Sequence, residues 1–149
     1  MRLPCRIGRN GATVFKREGD GKSPRAILLA RRGWWRTDRR LPPRGGVPLR
    51  PARKELGWCD APGHACYNRL VRLPFEHSHE TLCRDDRQYD VVLELDWNAR
   101  PRIQGRGSAI FLHVMAEAGT GTAGCIALSP GHIDRLLACL GPRTRIRIV

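Results

Sequence analysis

The sequence predicts a mainly β fold with one short helix near the C terminus. Three observations carry this reading. Short apolar runs broken by Gly and Pro recur through the first half, and two mainly apolar runs of strand length stand at 91–95 and 108–114. Only the segment after Ser129 repeats its apolar residues at helical spacing. With 149 residues, 41% of them hydrophobic and 28% charged, the chain has the size and composition of one folded domain, residues 1–149. No stretch approaches the roughly 20 apolar residues of a membrane span.

Taken in order, Ala12-Thr13-Val14-Phe15 fits a strand, and Glu18-Gly19-Asp20-Gly21 fits the turn after it. Ala26–Ala30 fits either a buried strand or a short helix, and periodicity does not separate them. Leu41–Pro51, with its prolines and glycines, reads as an extended loop. Val91–Leu95 is a strand. Ser108–Val114 is the most apolar strand candidate, as in a central strand covered on both faces. A Gly-rich loop, Gly119-Thr120-Gly121-Thr122, leads to Cys125-Ile126-Ala127-Leu128. Ser129 is a good N-cap and Pro130 suits the first helical position. Ile133, Leu136, Leu137 and Leu140 form one face, and Gly141-Pro142 stops the helix. Thr144–Val149 alternates as a half-buried final strand.

The chain is strongly basic, with 27 Lys and Arg against 14 Asp and Glu, a net charge of +13. Ten of the basic residues lie between Arg25 and Lys54, against Asp38 alone, and Trp34 and Trp35 fall inside this stripe. Such a stripe can attract a polyanion. No zinc-finger spacing, helix-turn-helix or KH-type loop accompanies it, so a nucleic-acid partner is not expected. An anionic cell-envelope surface and a plain solvated arginine face remain as readings of the stripe, and the chain is expected to be a monomer.

Six cysteines stand at 5, 59, 66, 83, 125 and 139, with no C-x-x-C pair, so no metal site or cofactor is expected. Cys139 reads as a small buried residue of the helix, and a Cys59–Cys66 disulfide stays open. His113 needs explaining, because an imidazole inside an apolar strand must find polar partners. Phe111, His113 and Met115 share one face of that strand. If the Gly-rich loop doubles back, the strand from Cys125 lies antiparallel beside it and brings thiol and imidazole together, as a nucleophilic cysteine requires. The N–H groups of Gly124 and Cys125 are candidate oxyanion donors. A buried histidine beside a structural cysteine is the competing account of the same residues.

The run from His113 to Thr122-Ala123-Gly124-Cys125 resembles the active-site signature of the L,D-transpeptidase catalytic domain, the YkuD-like or ErfK/YbiS-like family. The likeness extends to Cys5–Gly11, Lys16–Pro24, Gly57-Trp58-Cys59-Asp60, Tyr67-Asn68, Ser78-His79-Glu80, Tyr89–Val92 and Gly105–Ala109, and so covers nearly the whole chain. It implies a β-sandwich-like domain acting on peptidoglycan stem peptides. Cys125 would be the nucleophile that forms a thioester, and His113 the group that takes and returns the proton. Gly124 and Cys125 would bind the oxyanion, and Thr122 would support the loop or contact the substrate. Trp58 reads either as lining the substrate groove or as packing beneath it; Tyr67 and Asn68 read as loop residues that buttress the site, with turn chemistry an equal account of Asn68. The products would be 3→3 cross-links or trimmed stems. A catalytically idle cell-wall or polyanion-binding module of the same fold is the alternative. Position 123 is Ala, and Ile126-Ala127-Leu128 holds no Arg, so part of the family's usual substrate contacts is absent. Arg25 after Ser-Pro is a second departure, standing where a small residue would be expected. Met1–Cys5 lacks a signal-peptide core. The expected location is therefore periplasm or cell envelope if an export signal is missing from this sequence, and cytoplasm otherwise.

Overall fold

A computed structural model describes residues 1–116 and 121–149. Gly119 and Thr120 of the expected Gly-rich loop lie outside the described residues. The chain runs through β1 (Ala12–Thr13), β2 (Ser23–Pro24), β3 (Ile27–Trp35), β4 (Leu49–Pro51), β5 (Leu56–Cys59) and β6 (Arg69–Arg72). It continues with β7 (His79–Thr81), β8 (Val91–Leu95), β9 (Phe111–Val114), β10 (Ile126–Leu128), α1 (Pro130–Cys139) and β11 (Arg145–Arg147). The fold is predominantly β with one short C-terminal helix, as the sequence predicts. No described helix is long and apolar enough to cross a membrane.

The main sheet has six strands in the order β10-β9-β8-β3-β11, with β4 completing the β3 edge beyond β11. A three-stranded sheet, β6-β5-β7, and the short β1-β2 pair stand apart from it. Residue parity on the main sheet sorts the core into two clusters. Val91, Leu93, Leu95, Leu112, Val114, Ile126 and Leu128 pack with Ile133, Leu137 and Leu140 of α1. Val92 and Phe111 point the other way and pack with Trp34, Trp58, Leu82 and Tyr89, where the three-stranded sheet covers them. Both faces of the sheet centre are thus dry, and every residue of β8 and β9 is buried. Edge-to-face contacts of Trp58 with Phe111 at 5.2 Å and with Trp34 at 6.3 Å form the second cluster's centre.

Ala26–Ala30 resolves as strand, because most of it belongs to the nine-residue β3. Three expectations are corrected. The strand after the Gly-rich loop runs parallel to β9, with Ile126 opposite Leu112 and Ala127 opposite His113. Alternation places the same residues on the same face in either direction, so periodicity could not choose. The segment from Ser108 enters its strand only at Phe111, since Ala109 has φ 50° and breaks the extended run. Cys139 is exposed, because the buried face of α1 passes through Ile133, Leu137 and Leu140 and leaves 139 outside it.

The helix starts as expected, with Ser129 accepting a hydrogen bond from the His132 N–H and Pro130 in the first turn. Its C-terminal end is crossed by the 41–48 loop, where the Gly46 N–H donates to Leu140 O at 2.8 Å. A Cβ on Gly45 would stand 2.4 Å from Leu137 O, so only glycine lets the loop approach this closely.

The basic stripe is largely internal bookkeeping of charge. The β3–β8 register shifts between Ala30 and Arg32, so consecutive Arg31 and Arg32 both reach the buried Glu94, each at 2.6 Å. Arg36, Arg39 and Arg40 pair with Asp38, Asp90 and Asp134. Trp34 is buried in the aromatic cluster and presents no face to a base.

Candidate active site

The parallel register decides where Cys125 stands. With Ile126 opposite Leu112, Cys125 lies level with Phe111, one residue before β10 begins. Cys125, Ala127, Phe111 and His113 then share the face that looks toward the three-stranded sheet. The level of His113 is two residues further along, about 7 Å of strand. The Cys125 thiol donates to Ala109 O at 3.1 Å and accepts from the Phe111 N–H at 3.5 Å. Burial pushes this thiol up to about 12; the Phe111 N–H opposes the shift, the Glu80 carboxylate adds to it, and the Lys16 and Arg84 cations counter it.

His113 is 3% exposed. Its Nδ1 lies 2.8 Å from Val114 O, an acceptor with no proton to give, so Nδ1 carries the hydrogen and Nε2 is left with its lone pair. Burial holds its pKa below the usual imidazole value, and the contact with Val114 O works against that shift. The resting pair is therefore a neutral thiol and a neutral imidazole, not a thiolate facing an imidazolium.

The turn that leads into β8 brings a third group beside His113. The Tyr89 ring meets His113 edge-on at 5.3 Å, and Tyr89 Oη donates to Glu80 Oε2 at 3.4 Å. Arg84 stacks its guanidinium 5.0 Å over the Tyr89 ring and pairs with Glu80 at 3.3 Å and with Asp86. The sequence showed Glu80 and the Tyr89-Asp90 pair without this arrangement. Arg84 carried no signal there, since it reads as one more charge in an Arg-Asp-Asp run.

The loop before Cys125 is held from both sides. Thr122 Oγ1 donates to Cys125 O at 2.7 Å and accepts from the Gly124 N–H at 3.0 Å. Ser23 Oγ donates to Gly124 O at 2.7 Å, while the Gly8 N–H donates back to that hydroxyl. Gly124 has φ 145°, and a Cβ there would stand 2.9 Å from Lys22 O. The Gly124 N–H is thus occupied, whereas the Cys125 N–H has no partner among the described residues. Ser23 is a loop-holding residue for which the sequence gave no signal beyond the Ser-Pro step.

Trp58, Tyr67 and Asn68 are all buried and act on the segment that precedes β9. Asn68 Oδ1 accepts from the Trp58 indole N–H at 3.0 Å and from the Ala109 N–H at 3.1 Å. The same Asn68 donates to Asn98 O at 2.9 Å. The Ala109 carbonyl accepts the hydrogen bond from the Cys125 thiol, so Asn68, holding the Ala109 N–H, positions the thiol's acceptor. The Tyr67 and Ser108 hydroxyls both donate to Glu18 Oε2. Burial and the Glu18 carboxylate push the Tyr67 phenol upward.

A different cysteine lies beside an imidazole. Cys59 Sγ lies 3.9 Å from His64 Nδ1, which accepts from the Cys66 N–H at 3.0 Å. Cys59 has no exposed surface, and burial raises its pKa. All six cysteines are free thiols, so no Cys59–Cys66 disulfide is formed. Among the described residues no group of three or more His, Cys, Asp and Glu is placed to hold a metal ion.

The family model described as the YkuD L,D-transpeptidase catalytic domain matches residues 1–148. The chain belongs to this family. Comparison with curated proteins and with solved structures finds no match. Membership in a family of catalytic YkuD domains, together with the Cys59–His64 approach, supports a cysteine-dependent acyltransferase mechanism and a peptidoglycan-related role in the cell wall. The YkuD domain of this chain departs from the expected antiparallel hairpin but keeps a cysteine and a histidine on one face of the sheet.

Proposed function

We propose that the protein is an L,D-transpeptidase in which Cys125 is the nucleophile and His113 the general base and acid. The observation that supports this above the others is the shared face of Cys125 and His113, set by the Ile126–Leu112 register on a half-buried thiol. Cys59 is fully buried and offers a substrate no approach.

In the reaction, substrate binding turns the thiol from Ala109 O toward His113 Nε2, which takes its proton. Sγ then forms a bond to the carbonyl carbon of the stem peptide's third residue. The carbonyl oxygen becomes an oxyanion facing the Cys125 N–H, the loop donor with no partner among the described residues. Collapse breaks the C–N bond, and His113 returns the proton to the departing amine of the terminal D-alanine. A second amine attacks the thioester, a new C–N bond forms, the S–C bond breaks, and the thiol regains its proton through His113. An amine on a neighbouring stem yields a 3→3 cross-link, and water yields a trimmed stem. The substrate puts the reaction at the cell envelope, where exposed Arg44 and Arg50, with no carboxylate partner among the described residues, would meet an anionic surface.

The test is acylation. A carbapenem should add once to the protein, with the mass on the Cys125 peptide, and Cys125→Ala should remove the adduct. A stem tetrapeptide should release D-alanine at a rate that His113→Gln lowers by about 10³-fold. An adduct on Cys59, or none, rejects Cys125 as nucleophile.

A further inference from the structure

Lys16, three residues past β1, is 5% exposed, and a lysine is seldom buried this far without a partner. Its ammonium donates to Asp20 Oδ1 at 2.6 Å and to Arg17 O at 2.7 Å. The third N–H of that ammonium has no partner among the described residues. Asp20 is held in turn by the Arg17 and Lys22 N–H groups, at 2.8 and 2.9 Å. Glu18, the other acid of this turn, is taken by the Tyr67 and Ser108 hydroxyls.

The stem of the lysine is wedged between the two segments that surround the Cys125 thiol. A Cβ on Gly107 would stand 3.0 Å from Lys16 Cγ and 3.2 Å from Cε, and one on Gly124 would stand 3.5 Å from the same Cε. Gly107 opens the stretch whose Ala109 carbonyl accepts from the thiol, and Gly124 immediately precedes Cys125. Their φ values are 92° and 145°, so the stem packs against bare backbone on both sides. Nζ is one bond beyond Cε, which sets a positive charge beside the peptide that carries the thiol.

We propose that Lys16 is a positioning residue for the nucleophile: its stem sets the gap between segments 107–109 and 124–125, and its ammonium favours negative charge at Cys125. The inference rests on the assignment of Cys125 as nucleophile above. Proton transfer to His113 leaves an anionic sulfur at this place, and attack on a carbonyl leaves an oxyanion beside it. A fixed cation in a site closed to water acts on such charges more strongly than one in solvent. The charged groups that bear on Sγ are Glu80, which opposes an anion, and Lys16 and Arg84, which favour one. Tyr89 and His113 stand by as neutral groups. Arg84 is already matched by Glu80 and Asp86, whereas Lys16 answers to Asp20 alone among the described residues. Asp20 therefore sets how much of the ammonium's field reaches the sulfur.

Iodoacetamide labelling of the full chain at about pH 9, read peptide by peptide, tests this without requiring turnover. Exposed Cys139 and fully buried Cys59 are the references. Lys16→Met keeps an apolar stem and removes the charge, and should slow Cys125 by about threefold or more. Asp20→Asn leaves the cation and removes its counter-charge, and should speed Cys125 by about twofold or more. A Lys16–Asp20 pair that merely braces the turn gives both changes the same sign. Anything but opposite signs overturns the proposal, as does a gain at Cys125 that buried Cys59 shares, which marks general loosening. If Lys16→Met does not fold in a thermal melt, the sign of Asp20→Asn decides alone. Carbapenem acylation is scored separately: a wild-type chain that forms no Cys125 adduct removes the transpeptidase reading, while the labelling signs still judge Lys16.

Discussion

Alkylation of Cys125 as a function of pH reads the resting state of the pair directly. The thiol is pushed up to about 12 by burial, against about 8.5 for a free cysteine. At pH 7.5 the thiolate fraction is then ~3 × 10⁻⁵ in place of ~0.1, a deficit of about 3,000-fold. A more basic thiolate is a better nucleophile, and a Brønsted slope of about 0.45 over ~3.5 units returns roughly 40-fold. Iodoacetamide should therefore label Cys125 roughly 100-fold more slowly than a free thiol at this pH. The rate should climb about tenfold per pH unit from 7 to 10 without levelling. Peptide-resolved mass spectrometry separates the six cysteines, and exposed Cys139 serves as the internal reference. A Cys125 rate equal to that of Cys139 at pH 7.5, or a plateau below pH 9, would refute a neutral resting pair. It would mean that His113 already holds the thiol proton before any substrate arrives.

Asn68→Ala strips acceptors from the Trp58 indole N–H and the Ala109 N–H, both buried. It should cost about 2–4 kcal/mol in denaturant unfolding and lower acylation further than that loss explains. Gly124→Ala drives a Cβ to 2.9 Å from Lys22 O, and acylation of Cys125 should fall by about 100-fold, with about 1–3 kcal/mol lost in a melt. Thermal stability should decline on both sides of neutrality. Because the folded pKa of His113 is lowered, the unfolded chain binds its proton first as pH falls through about 6.5, so stability is lost toward acid. Cys125 has a raised folded pKa, so the unfolded chain releases its proton first, and stability falls as pH rises from about 8.5 toward 12. A melting temperature flat between pH 5 and 10 contradicts both assignments.

Much of this site is legible in residue patterns. The alternation Phe111-Leu112-His113-Val114 already assigns the histidine's face, and Ser129-Pro130 already marks where α1 begins. Such signals survive in sequence because they are local: a two-residue or 3.6-residue period is fixed by the backbone of one element. The position of Asn68 was visible as a candidate support, but not its hold on Ala109, which stands 41 residues away.

The sequence by itself determined a mainly β chain with one capped helix, and singled out Cys125 and His113. Only the tertiary structure decided that β10 runs parallel to β9, because alternation is the same in both directions. It also decided that Thr122 occupies the Gly124 N–H. The arginines at 6, 39, 40 and 87 meet in one cleft because separate strands and loops converge at the end of β9. A pattern read along the chain records what each element buries; which distant charges share a cavity depends on how the packed sheets bring their ends together.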